Sequence, residues 1–238
     1  MGKRRPGVLP FAHRTVAAPM VGCSDLAFRL LCRRHGADLV YTEMLYAERV
    51  ISDPEYRTKY LFSQLDPSDR PLVAQLCGRE ASELVAAAKL LEPHVDAIDI
   101  NLGCPQQRAK DGQSCARFSS STHFSTSDVA PQMSPLALCA GGYGAYLLDE
   151  EHWPRVFGCV SSLATALSLP ISCKIRLCAT LSQTLRFARG LEASGCALLC
   201  VHGRHRGTPS RRRSGPADLG AVRLIKAPLP PPDPLTPL

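Results

Sequence analysis

The chain has 238 residues, 45% hydrophobic and 21% charged, with a formal net charge of +7. Those proportions are ordinary for a globular protein and allow most of the chain to bury a core. No run of about 18 apolar residues occurs, which argues against a helical membrane span, and no long apolar stretch follows the basic MGKRRPG start, so it does not read as a secretory signal.

Apolar runs alternate with helical stretches along the chain. Thr15–Ala18 reads as a short strand ending at Pro19-Met20, and Asp25–Arg34 as a helix with Ser24 as N-cap and Gly36 just past its end. Strands follow at Leu39–Thr42 and Pro71–Leu76, then an Ala- and Leu-rich helix at Glu80–Leu91 and a strand at Asp96–Asn101. Trp153–Leu167 is a helix, Ile171–Ile175 a strand, Leu181–Ala193 a helix, Ala197–His202 a strand and Asp218–Lys226 a short helix. Two regions break the pattern. Residues 113–142 are rich in Ser and Thr without any period, unusual for a loop inside a compact domain. Residues 227–238 are proline-rich and read as an extended, disordered end.

Repeated strand–helix alternation implies parallel strands with crossover helices, in either an open doubly wound sheet or a (β/α)8 barrel. Strand after strand ends in special residues: Pro19-Met20, Glu43-Met44, Gln75, Asn101, Lys174 with Arg176, and His202 with Arg204. That is the barrel pattern, and no glycine fingerprint follows the first strand, so the barrel is favoured.

The 11 cysteines form no CxxC pair and no metal-ligand rhythm with histidine, which leaves no metal site to propose and points to a reducing compartment. The basic excess, clustered at Lys3–Arg5, Arg204 with Arg206, and Arg211–Arg213, suits a polyanion such as RNA and equally a solvated surface. Cys104, between Gly103 and Pro105 at the end of a buried strand, reads as a proton donor or nucleophile, or as a structural cysteine before a turn. Lys174 and Arg176 alternate, so both point to one side and can hold an anionic or electron-rich ligand there; exposed strand-end cations are the other reading. His202 suits hydrogen bonding to a cofactor, or is a satisfied core histidine.

Taken in order, Ala18-Pro19-Met20, Thr42-Glu43-Met44, Val73-Ala74-Gln75-Leu76-Cys77-Gly78, the run from Asp99 to Gln106 (DINLGCPQ), Cys173-Lys174-Ile175-Arg176 and Val201-His202-Gly203-Arg204 resemble the tRNA-dihydrouridine synthase family. Ala109-Lys110, Gly112 and Gly142-Tyr143-Gly144-Ala145 resemble its eukaryotic (16/17) branch. The resemblance covers roughly residues 14–112 and 142–226. It implies a flavin-binding TIM barrel followed by a small helical domain that grips tRNA. Pro19 and Met20 would line FMN, with Gln75, Lys174 and His202 hydrogen-bonding its ring or chain. Asn101 would position flavin or uracil, Arg176 and Arg204 would meet the substrate, and Cys104 would be the general acid. NADPH or NADH would reduce the flavin, a hydride would pass to uracil C6, and Cys104 would protonate C5. The target base must leave its stack first. The implied partner is tRNA, with no membrane, and a cytoplasmic monomer is expected, nuclear or mitochondrial placement staying open.

The chain departs from the family twice. Residues 113–142 split a run that is continuous there, reading as a translated intron or a lineage-specific loop, and endanger the placement of Cys104. Two further strands with phosphate-binding turns and the helical domain are not found. The expectation is therefore an α/β, TIM-barrel-like (β/α)8 flavin domain, incomplete at about six βα units and without the C-terminal helical domain. It has a basic segment at 1–13, a partial barrel at 14–226 with an insertion at 113–142, and a tail at 227–238. Weak FMN binding and poor tRNA reduction are expected of it alone. Two alternatives stand: a small-molecule flavin oxidoreductase of the dihydroorotate or dihydropyrimidine dehydrogenase type, and an inactive RNA-binding fragment.

Overall fold

Strands buried on both faces carry apolar side chains toward covering helices on one side and face the inside of a curled sheet on the other, and this chain does so. The computed structural model describes residues 15–110, 142–207 and 215–226. The expected basic segment at 1–13, nearly all of the 113–142 insertion, Arg211–Arg213 and the proline-rich tail lie outside the described residues. Six strands, β1 (Val16–Ala17), β2 (Leu39–Tyr46), β3 (Leu72–Cys77), β4 (Ala97–Leu102), β5 (Ile171–Leu177) and β6 (Cys196–His205), form one sheet. All are parallel, in the order β1-β2-β3-β4-β5-β6.

Two observations decide between the architectures left open. The strand order never reverses, as a doubly wound sheet requires. The Tyr41 hydroxyl of β2 also lies 3.3 Å from Cys200 Sγ of β6. In a flat sheet those strands would be four spacings, roughly 19 Å, apart. The sheet therefore curls until its second and sixth strands touch across the interior, as in a barrel. Leu39, Tyr41, Val73 and Ala97, with Leu198 and Cys200 against them, plug the lower interior.

Helices α1 (Leu26–Arg34), α2 (Ala47–Ser52), α3 (Pro54–Tyr60), α4 (Ala81–Leu91), α5 (Gln107–Lys110), α6 (Trp153–Ala166), α7 (Leu181–Ala193) and α8 (Leu219–Lys226) accompany the strands. The outward strand residues Leu72, Ala74, Leu76, Ile98, Ile100, Ile171 and Ile175 belong to one buried cluster with Leu84, Leu91, Trp153, Leu163 and Phe187 from the helices. Gly190 lets α7 approach α6, because a Cβ there would run into the Phe157 ring.

Several local expectations shift. Asp25, rather than Ser24, caps α1 by accepting from the Phe28 N–H at 2.8 Å; Ser24 Oγ accepts instead from the Met20 N–H at 2.9 Å. The sequence reading placed no helix between residues 47 and 60, yet Asp53-Pro54 carries an N-cap and N1 proline signal for α3. Within α1, Arg29 and Arg33 hold the buried Asp69 at 2.7 and 2.8 Å, tying the helix to the segment before β3.

β2 runs four residues past its expected end. Its register shifts between Tyr41 and Met44, where the Thr42 hydroxyl accepts from the Gln75 N–H at 3.2 Å. A one-residue slip exchanges the faces of a strand. It brings Met44 to the interior and sends Glu43 to the β1 turn, where its carboxylate accepts from the Gly22 N–H at 2.7 Å.

Candidate active site

In a parallel barrel, the carboxyl ends of the strands present their alternate side chains to one mouth. On the inner face, β3 presents Gln75, β4 presents Asp99 and Asn101, β5 presents Ser172, Lys174 and Arg176, and β6 presents His202. Hydrogen bonds join these into one network. Gln75 Nε2 donates to Asp99 Oδ2 at 2.8 Å and Ser172 Oγ donates to Asp99 Oδ1 at 2.6 Å. Asn101 Nδ2 donates to Gln75 Oε1 at 3.0 Å and contacts Met44 Sδ at 3.0 Å. Asn101 Oδ1 in turn accepts from the Gly103 and Cys104 N–H groups at 2.9 and 3.0 Å.

Cys104 is thereby held at the end of β4, half-buried against Met44, Cys77, Ala109 and Tyr143. Its carbonyl accepts from the Ala145 N–H at 3.0 Å. Gly144, at φ +66°, packs so closely on Cys104 that a Cβ would fall 2.9 Å from the Cys104 Cβ. The chain leaves the described fold after Lys110 and returns at Gly142 beside it: the Tyr143 N–H donates to the Ala109 carbonyl at 2.8 Å. Lys110 and Gly142 thus lie side by side, next to the cluster that holds Cys104.

The electrostatics are one-sided. Arg176 Nε donates to the Gly103 carbonyl at 2.8 Å and its Nη1 to the His205 carbonyl at 3.1 Å, so it braces the Cys104 turn against β6. Burial lowers the Lys174 pKa, an effect opposed by the Asp99 carboxylate. Burial also pushes Asp99 up to about 6, against the Ser172 and Gln75 hydrogen bonds and Lys174. His202 is pushed down to about 4 by burial and by Arg176, Lys174 and Arg204, so it is neutral at pH 7. Its Nδ1 is buried without a hydrogen-bond partner. Pro19 and Met20 lie at the end of β1, with Met20 exposed. Arg204 donates to the Gly215 carbonyl at 2.7 Å.

The structure thus gathers Gln75, Asn101, Cys104, Lys174, Arg176 and His202 at one mouth, with Arg204 at its outer edge. Asp99 and Ser172 join the network although no site role was expected of them, and Met44, one of the strand-end residues singled out above, joins it through the β2 bulge. Asp99 was findable, as a carboxylate two residues before Asn101 on the same strand face; the bulge that delivers Met44 had no local signature. A hollow of about 430 Å³, lined by Leu177, Leu181, Thr184, His205, Asp218 and Leu224, lies between α7 and α8 and gathers no comparable set.

A protein-family model described as Dihydrouridine synthase matches residues 15–121 and 138–233. The chain belongs to the dihydrouridine synthase family. The stretch left unmatched, 122–137, falls inside the segment read as an insertion. A Rattus norvegicus protein named tRNA-dihydrouridine(16/17) synthase (NAD(P)(+))-like is 39% identical over 90% of this chain and 41% of its own length. Proteins named tRNA-dihydrouridine(16/17) synthase (NAD(P)(+)) are 32% identical in Schizosaccharomyces pombe and 35% in Saccharomyces cerevisiae, over 91% and 90% of this chain. The chain spans less than half the length of these relatives, 41%, 46% and 44% respectively. Like its family, it is an α/β barrel protein, contributing six βα units in the described residues.

Proposed function

We propose that this dihydrouridine synthase chain takes part in the FMN-dependent reduction of uridine to 5,6-dihydrouridine in tRNA, with NADPH or NADH as reductant. The observation that carries this reading is the fixing of Cys104 at the mouth by Asn101 Oδ1, beside Lys174, Arg176 and the partnerless His202 nitrogen. These residues fit a flavin. A buried imidazole nitrogen without a partner and a desolvated ammonium are costly by themselves and suit a polar, electron-rich ring system. Lys174, His202 and the inner-face amides would hold that group, with Pro19 and Met20 lining it. When bound, FMN supplies hydride chemistry at uracil C6.

The chain's own residues do the rest. Cys104 Sγ delivers a proton to C5, completing addition of H⁻ and H⁺ across the C5=C6 bond. Arg176 keeps the Cys104 turn in place from its Gly103 contact. Arg204 and the arginines beyond it serve RNA phosphates. The cysteines buried in the core, Cys77, Cys159, Cys173 and Cys178, suit a reducing, cytoplasmic setting. The test is the dihydrouridine content of tRNA in cells lacking the gene, restored by wild-type but not Cys104→Ala chain. Unchanged dihydrouridine after deletion, or full restoration by Cys104→Ala, overturns the reading.

A further inference from the structure

The hydrogen bonds at the mouth run in one direction. An ionised carboxylate only accepts, whereas a side-chain amide donates from one end and accepts at the other. Asp99, fully buried on β4, accepts from the Ser172 hydroxyl and from the NH2 end of Gln75. That choice turns the Gln75 oxygen toward Asn101, which must then present its own NH2 to it. The Asn101 oxygen is left facing the Gly103 and Cys104 N–H groups. Reversing either amide would set donor against donor or acceptor against acceptor where water has little access. Gln75 and Asp99 are direct cross-strand partners, as are Asp99 and Ser172, so backbone register holds the relay's base in place.

We infer that Asp99 is a positioning residue: an acceptor-only group at the barrel interior that sets the orientation of the Gln75 and Asn101 amides and through them seats the Cys104 turn. Asp99 acts through two intermediaries, one on β3 and one on its own strand. The inference deepens the proposed function and rests on it only for what the thiol then does.

The predicted signature is a swap. In Asp99→Asn the acceptor-only end of the relay is lost, Gln75 and Asn101 can both reverse, and the Gly103 and Cys104 amides lose their acceptor. In Asn101→Asp two carboxylates compete for the single NH2 of Gln75. In the double variant Asp99→Asn/Asn101→Asp, Gln75 reverses once: its oxygen accepts from Asn at 99, its NH2 donates to Asp at 101, and that carboxylate again accepts from Gly103 and Cys104. Amide hydrogen exchange of the apo chain reads this without flavin or tRNA, so its failure and that of the proposed function are separable. Exchange at Gly103 and Cys104 should rise roughly tenfold to a hundredfold in Asp99→Asn and return toward wild type in the double variant, with β3 and β5 amides unchanged. A role in general packing predicts accumulated damage in the double variant. Unaltered exchange in Asp99→Asn, or a double variant no better than the worse single, overturns the inference. Should the variants not fold, scalar coupling from the Cys104 amide nitrogen to the Asn101 side-chain carbonyl carbon in the wild-type chain decides the orientation; its absence overturns the inference equally.

Discussion

The central strands β3, β4 and β5 and the flanking strand β6 carry the same kind of residue in different surroundings. β3 is buried at every position and β4 and β5 nearly so, whereas β6 is half-exposed from Cys196 to His202. In the centre, Asp99 is fully enclosed and hydrogen-bonded on both oxygens. On the flank, His202 keeps a buried nitrogen without a partner. The difference teaches how rigidity is distributed: the central Asp99–Gln75–Asn101 network satisfies itself and positions Cys104, while the flank keeps a buried imidazole nitrogen without a partner.

The largest expected effect separates the two regions by chemistry. Cys104→Ala should lower dihydrouridine formation roughly 10²–10⁴-fold, the range for losing a positioned acid. His202→Ala should cost only about tenfold, as one lost hydrogen bond to the cofactor. Single-turnover assays with reduced flavin measure both; equal losses would erase the distinction between centre and flank.

Stability gives the next contrast. Ile100, 2% exposed on the outer face of β4, should cost about 2–5 kcal/mol when truncated to Ala. Val201 on β6 is only partly buried and should cost about 1 kcal/mol. Urea midpoints with unchanged m-values would measure the gap, and similar costs would mean that β6 is as well packed as β4.

The pH dependence sharpens the comparison further, because the two groups act with opposite sign. The Asp99 pKa is raised to about 6 on folding, so its contribution is fully present below its unfolded pKa near 4 and is lost as pH rises through 6. The shift of about two units corresponds to roughly 3 kcal/mol at most. His202 is depressed to about 4, so its contribution is present above about 6.5 and is lost as pH falls toward 4. Melting temperatures between pH 4 and 7 should therefore lose their alkaline-side decline in Asp99→Asn and their acid-side decline in His202→Gln. His202 is partly open to solvent, so its change is the smaller.

Much of the site was legible because strand periodicity is local. Gln75, Asn101, Lys174, Arg176 and His202 all stand at strand ends, and alternation alone put Lys174 and Arg176 on one side. Asp99 was masked by its apolar neighbours Ile98 and Ile100, although the same alternation places it with Asn101. The arginines' contacts within the fold were not legible: Arg176 braces Gly103, Arg204 reaches Gly215, and Arg206 pairs with Asp149 at 2.7 Å. Each of those partners lies far away in sequence or across a loop.

By itself the sequence determined the alternation of strands and helices, the apolar faces that bury them and the succession of polar residues at strand ends, since these follow from periods of two and 3.6 residues along a short stretch of chain. Tertiary structure alone decided that β2 meets β6 across the interior, that a register shift exchanges Glu43 for Met44, and that the amides of Gln75 and Asn101 face as they do. Those outcomes depend on which distant groups compete for the same donor or the same space, and that competition exists only once the sheet has curled.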